Sequence, residues 1–391
     1  MPMDPVPPSG IDVIVHQPVL GSRRRFAFVT NDAAFTSGSI PSRVALLRSG
    51  KSVRLLFSPE HGLSARGADG ARQTDGKDPL TGLPVISLYG EQWKPTYEQL
   101  RKVDAVLFDI PDIGCRYYTY LWTMTHVMEA CAAYRIPLII ADRRNPIGID
   151  LYKAEGPWLD EDHCASFIGR WNIPLKHACT IGELARYFNV TRSLDLDLTV
   201  IPVPDYHRGP AQLGDVFRPT SPAITTLQAA LCYPGTGLLE GVNIHEGRGT
   251  GRPFTRIGAP WLDTNFLLQL MDPKSLSGLK AQVSEFTPTT GPYSGVSCRG
   301  IDLAVTHPAS FMAVRFGMEL LRTLYRVHPD RLEQRPYPTH ANPSGQSHLD
   351  RLTGVPDSFD SLVKGSGDLP LDVTGWRSKI KPFLLYSGQD I

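Results

Sequence analysis

Three apolar runs in this chain each end abruptly in charged residues, and that pattern narrows the fold more than any other feature. Leu55-Leu56-Phe57 runs into Ser58-Pro59-Glu60-His61. Ala105-Val106-Leu107-Phe108 runs into Asp109, with Asp112 and Arg116 close behind, and Leu138-Ile139-Ile140-Ala141 runs into Asp142-Arg143-Arg144-Asn145-Pro146. Short continuous apolar runs bounded by turn residues read as strands buried on both faces, as in a parallel sheet covered by helices. In open sheets of that kind chemistry gathers at the carboxyl ends of the strands. Three strands delivering charge at the same end predict a single polar crevice.

The rest of the first half alternates in step. Strands are expected at 26–30, from 53, and at 83–89, 105–110, 137–141 and 198–203. Helices fit between them at 41–48, 95–103 and 117–135, and a capping box, Thr180-Ile181-Gly182-Glu183, opens one through 188. Strand, helix and strand in that order predict right-handed parallel crossovers. The class is therefore α/β, with a Rossmann-like, mostly parallel sheet carrying helices on both faces. The polar loop 64–81, with Arg66, Asp69, Arg72, Asp75 and Asp78, directly follows Glu60 and reads as a lid over the site.

A length of 391 residues exceeds what one core usually serves. Residues 1–20 form a proline-rich lead, poorly ordered over 1–10. Residues 21–205 form the Rossmann-like catalytic domain. After a stretch rich in proline, glycine and charge, 206–391 form a smaller α+β domain that closes the cleft. Its expected elements are helices at 224–231, after Trp261 and at 310–327, with strands around Phe286 and at 301–305.

Several function classes drop out. A formal charge of +1 gives no electrostatic reason for nucleic acid or an anionic membrane as partner. No apolar run would span a bilayer and the N-terminus lacks a signal-peptide pattern, so the expected location is cytoplasmic. Six cysteines, widely spaced without a CxxC pair, read as buried thiols in a reducing compartment. Gly50-Lys51-Ser52 fails as a phosphate loop because Ala45 stands where glycine is needed and a strand follows it. The segment from Gly235 misses the GxGxxG spacing, and GxSxG and HExxH do not occur, so neither cofactor nor metal is expected.

FSPEHG, TGLPVISLYG, FDIPDIGCRYYTYLWTM, ADRRNP, HACTIGELARYFN, YPGTGLLEGVNIHEGRGTGRPF and GAPW, in that order from about Gly21 onward, resemble the DUF1343 family, which includes the NamZ-type exo-β-N-acetylmuramidases. The resemblance implies a glycoside hydrolase acting on peptidoglycan fragments or other muramic-acid-containing saccharides. Arg144, Ala178 and the segment 204–208 depart from the usual family pattern, which bears on fine specificity. A non-catalytic cell-wall-sugar-binding protein and a β-N-acetylhexosaminidase of different specificity are the alternatives.

Glycoside hydrolysis needs a proton donor and usually a second carboxylate. Glu60 is the expected acid, both as a strand-end carboxyl and as the glutamate matching the family's suspected catalytic position. His61 would orient it or donate to a sugar hydroxyl. Asp109, Asp112, Glu240 and Glu246 are all eligible as the second carboxylate, and a 2-acetamido group would permit a substrate-assisted route instead. The lactyl carboxylate of the sugar suits a guanidinium fork. Arg248 and Arg252 are the favoured candidates, beside Arg116 and Arg143. Tyr118, Tyr120, Asp142, Asn145 and Asn243 complete the expected substrate contacts.

Overall fold

The computed structural model describes residues 6–16 and 24–388. The apolar runs do become strands of one sheet. β1 (Arg25–Thr30), β2 (Ser52–Ser58), β3 (Gly76–Lys77), β4 (Pro84–Ser87), β5 (Ala105–Asp109), β6 (Leu138–Ala141) and β7 (Leu198–Ile201) lie in the order β3-β4-β2-β1-β5-β6-β7. All neighbours are parallel except β3, which runs antiparallel to β4. β5 and β6 are buried at every position, as uninterrupted apolar runs require. The chain winds from β1 towards β2 on one side and later towards β5 on the other. That reversal opens a crevice at the carboxyl ends of the central strands.

Helices α1 (Gly10–His16), α2 (Ser42–Arg48), α3 (Tyr97–Leu100), α4 (Tyr120–Tyr134), α5 (Glu161–Cys164) and α6 (Ile181–Thr191) belong to this half. α1 and α2 cover one face, where Ile11, Ile14 and Leu46 pack on Phe26, Phe28 and Leu56. α4 and α6 cover the other, with Leu121, Met124, Val127 and Leu184 in the larger core. Part of the proline-rich lead was expected to be poorly ordered. Residues 1–5 lie outside the described region, but Gly10 opens α1, because Ile11 and Ile14 are fully buried there.

The second half carries α7 (Leu227–Thr236), α8 (Thr264–Leu270), α9 (Ala313–Val327) and α10 (His348–Thr353) around a small antiparallel sheet. In it β10 (Cys298–Val305) lies between β8 (Arg256–Ala259) and β9 (Leu279–Phe286). The change in chain character near residue 205 is not a break in packing. One apolar cluster joins Phe57, Tyr117 and Trp122 to Leu238, Leu321 and Trp376. The C-terminal segment returns to the first half, where Trp376 Nε1 donates to His177 O at 2.8 Å and the Tyr386 hydroxyl to Asp142 at 2.5 Å. All six cysteines are buried and free. No helix among the described residues is long and apolar enough to cross a membrane.

Candidate active site

Glu60 leaves β2 in a tight turn, with His61 and Gly62 both at positive φ (65° and 69°). Its side chain turns into a cavity that the two halves build together. From the first half come Glu60, His61, Asp69, Gly70, Tyr89, Tyr117, Tyr118, Thr119 and Phe167. From the second come Tyr233, Glu240, Arg248, Tyr337, His348 and Arg351. Tyr89 and Phe167 meet edge to face, 5.0 Å between centroids, and Trp93 extends this aromatic wall. Such a surface suits the apolar face of a sugar ring.

Glu60 is only 5% exposed. One carboxyl oxygen accepts from the Gly70 amide at 2.9 Å and the other from the Thr119 hydroxyl at 2.6 Å. Burial raises its pKa above the ordinary glutamate value, with Asp69 adding to the rise, while His61 and the two hydrogen bonds oppose it. His61 Nδ1 donates to Gly67 O at 2.8 Å, which fixes its ring and leaves Nε2 for the cavity.

Asp69 titrates the other way. Its side chain is still 36% exposed, so desolvation raises its pKa only in part, and Arg248, His61, the Tyr337 hydroxyl bonded to its carboxylate and His348 outweigh that and hold it below the usual range, an effect that solvent screening softens. Donor atoms of Glu60, His61 and Asp69 lie within 4.8 Å of one another. A divalent ion would fit that spacing, but it would compete with Thr119 and Gly70 for Glu60, whose raised pKa suits a proton better than a metal. The surroundings push Glu60 towards its protonated form and Asp69 towards its ionised one, the division of roles that acid catalysis needs.

The loop that supplies Asp69 is tied to the second half. His340 donates its amide to Gly70 O at 2.7 Å and its Nε2 to Gly90 O at 2.8 Å. At Gly70, φ is 63° and a Cβ would stand 2.6 Å from the Thr339 methyl, so glycine is required where the halves meet.

The other expected residues divide. Tyr118 lines the cavity, its hydroxyl on Thr220 Oγ1 at 2.7 Å, and Arg248 lines it while facing Glu240 at 2.7 Å, Glu246 at 2.9 Å and Asp69 at 3.5 Å. Tyr120 lies behind, fully buried, donating to Thr220 O. Glu246 is outside the lining, with one oxygen on Arg248 and the other without a hydrogen bond among the described residues. Asp109 and Arg143, expected at the crevice, neutralise each other, and Arg143 also holds Phe35 O and Ser42. Asp142 sits at the start of α6, accepting from Thr180 at 2.7 Å and the Gly182 amide at 2.9 Å; burial pushes its pKa up to about 6 despite those bonds. Asn145 bridges Cys179 O and the Ile147 amide, and Asn243 bridges Arg331 O and the Glu333 amide. Arg252 faces Asp302 at 3.2 Å.

Arg116 is the largest departure. It is fully buried with no carboxylate partner among the described residues, its guanidinium donating to Pro157 O, Ile173 O, Leu352 O and Thr353 O, and burial lowers its pKa to about 10. It binds the last turn of α10 rather than a ligand. The expected list did not include Asp69, Thr119, Tyr89, Tyr337, His348 or Arg351. Asp69 had one signal, its place in the loop after Glu60. Tyr337 reaches it across 268 residues, a partnership that no local pattern encodes.

Residues 26–228 match the family model described as exo-beta-N-acetylmuramidase NamZ, N-terminal, and residues 231–386 match its C-terminal counterpart. The peptidoglycan beta-N-acetylmuramidase NamZ of Bacillus subtilis (strain 168) is 40% identical over 315 residues, 79% of this chain and 75% of that protein. Crystal structures of two DUF1343 family proteins from Bacteroides fragilis align with TM-scores of 0.84 and 0.70 at 26% and 27% identity, each over 97% of this chain and 99% of the other. Motifs, fold and relatives agree: the chain belongs to the NamZ exo-β-N-acetylmuramidase family of glycosidases.

Proposed function

We propose that the chain hydrolyses the terminal, non-reducing β-linked N-acetylmuramic acid of peptidoglycan-derived glycans, with Glu60 as general acid and Asp69 as the ionised carboxylate. The observation that carries the assignment of roles is the contrast between two carboxyls lining one cavity: Glu60 is buried with no cation bonded to it among the described residues, which pushes its pKa up, whereas Asp69 faces Arg248 at 3.5 Å and accepts from Tyr337, which push its pKa down. Glu60 keeps its proton and delivers it to the glycosidic oxygen as the bond breaks. Asp69 faces the positive charge that develops at the anomeric carbon. The buried free thiols fit a reducing compartment.

The test is release of an aryl leaving group from an aryl β-N-acetylmuraminide. Glu60→Gln should lower kcat by about 10²–10⁴-fold, the contribution of a positioned acid, with sugar binding retained by calorimetry. A wild-type protein that binds muramic acid but turns nothing over would be a sugar-binding protein. One that cleaves the β-N-acetylglucosaminide instead would overturn the specificity.

A further inference from the structure

The cavity around Glu60 is rich in acids and poor in positive charge that is free to act. Glu60, Asp69 and Glu240 line it. Arg248 lines it as well but already faces Glu240, Glu246 and Asp69, so a further anion would have to displace one of them. Arg252 is turned to Asp302 and the Leu303 carbonyl, and Arg116 is occupied by backbone carbonyls. Among the described residues one lining guanidinium remains. Arg351 is half-buried, and among the described residues its guanidinium enters no hydrogen bond or ion pair. Its chain neighbour Asp350 feels its charge but forms no ion pair with it, and accepts instead from the Ser358 amide at 2.8 Å.

The backbone beneath Arg351 is held on several sides. His348, three residues earlier and so on the same face of α10, approaches Glu240 at 3.4 Å and stacks on Tyr337 with centroids 4.6 Å apart. Arg116 grips the other end of the helix through Leu352 O at 3.2 Å and Thr353 O at 2.5 Å. Because the backbone that carries this guanidinium is fixed, binding an anion has only the Arg351 side chain left to order.

We propose that Arg351 receives the lactyl carboxylate of the sugar and is the residue by which this site distinguishes muramic acid from glucosamine, an inference that rests on the muramidase reading above. The planar fork of arginine matches a carboxylate with two parallel hydrogen bonds. An acidic sugar entering beside Asp69 and Glu240 is repelled unless a cation answers it. A sugar lacking the lactyl group leaves the guanidinium without its partner, which is how a polar site rejects a close analogue. It follows that a muramic acid whose carboxylate is already amidated, as under a stem peptide, should be a poor substrate.

Three aryl glycosides test this: the β-N-acetylmuraminide, its lactyl amide, and the β-N-acetylglucosaminide, each with wild type, Arg351→Lys and Arg351→Gln. Wild type should prefer the free acid to the amide by at least about tenfold in kcat/KM, roughly what loss of one charged hydrogen-bond partner costs. Arg351→Gln should raise KM for the free acid by about 100-fold with kcat within a few-fold, leave the amide's KM unchanged, and be partly rescued by Arg351→Lys. Equal wild-type activity on acid and amide overturns the proposal, whatever the variants do. So does an unchanged KM for the free acid in Arg351→Gln. Either result with muraminide turnover intact leaves the muramidase reading standing, whereas a wild type cleaving only the glucosaminide removes both.

Discussion

Glu60 and Asp69 are both carboxylates in the same cavity, yet they are driven to opposite protonation states by what surrounds them. If the pair works as proposed, kcat/KM falls as pH rises through the elevated pKa of Glu60, because the donor has lost its proton. It falls again as pH drops through the depressed pKa of Asp69, because the stabilising charge is gone. Tyr337 helps to set that second limb through its hydroxyl on Asp69. Tyr337→Phe should therefore move the acid limb of the profile to higher pH and leave the alkaline limb in place. A pH series of kcat/KM checks this, and an acid limb that does not move would mean Asp69 is not the group it reports.

At the scale of the element, the start of α6 shows what local sequence can and cannot convey. Thr180 and Glu183 form the capping box their spacing announces. Gly182 between them announces nothing, yet a Cβ there would lie 2.6 Å from Asp142 Cγ and 2.6 Å from Val200 Cγ1. Gly182→Ala should cost about 2–4 kcal/mol, as overpacking with displacement of a buried carboxylate does, seen as a lower urea midpoint at unchanged slope. Strands were legible for the same reason as the cap: apolar runs and short-range spacings are properties of neighbouring residues. The strand ends were legible only in part. β2 delivers Glu60 to the cavity, but the charges closing β5 and β6 meet each other, Asp109 with Arg143, across 34 positions. Which charges neutralise one another is decided by the assembled sheet, so the sequence reading took two structural partners for ligands. Tyr337, His348 and Arg351 sit in a segment without periodicity and gain meaning only when that segment lands opposite Asp69.

Across the whole molecule, the halves share one core and one site, and Arg116 joins them by holding carbonyls from both. Arg116→Met would strand those acceptors in a dry interior at about 1–3 kcal/mol each, less whatever water recovers. A loss of at least about 3 kcal/mol in denaturant unfolding is expected, together with a raised KM as α10 loosens. An unchanged KM in a folded variant would separate the clamp from the site. The seam at Gly70 and His340 carries a last implication. Residues of both halves line the cavity that buries Glu60, so the upward push on its pKa belongs to neither half alone, and a substitution that loosens this seam should let the carboxyl fall back towards the ordinary glutamate range.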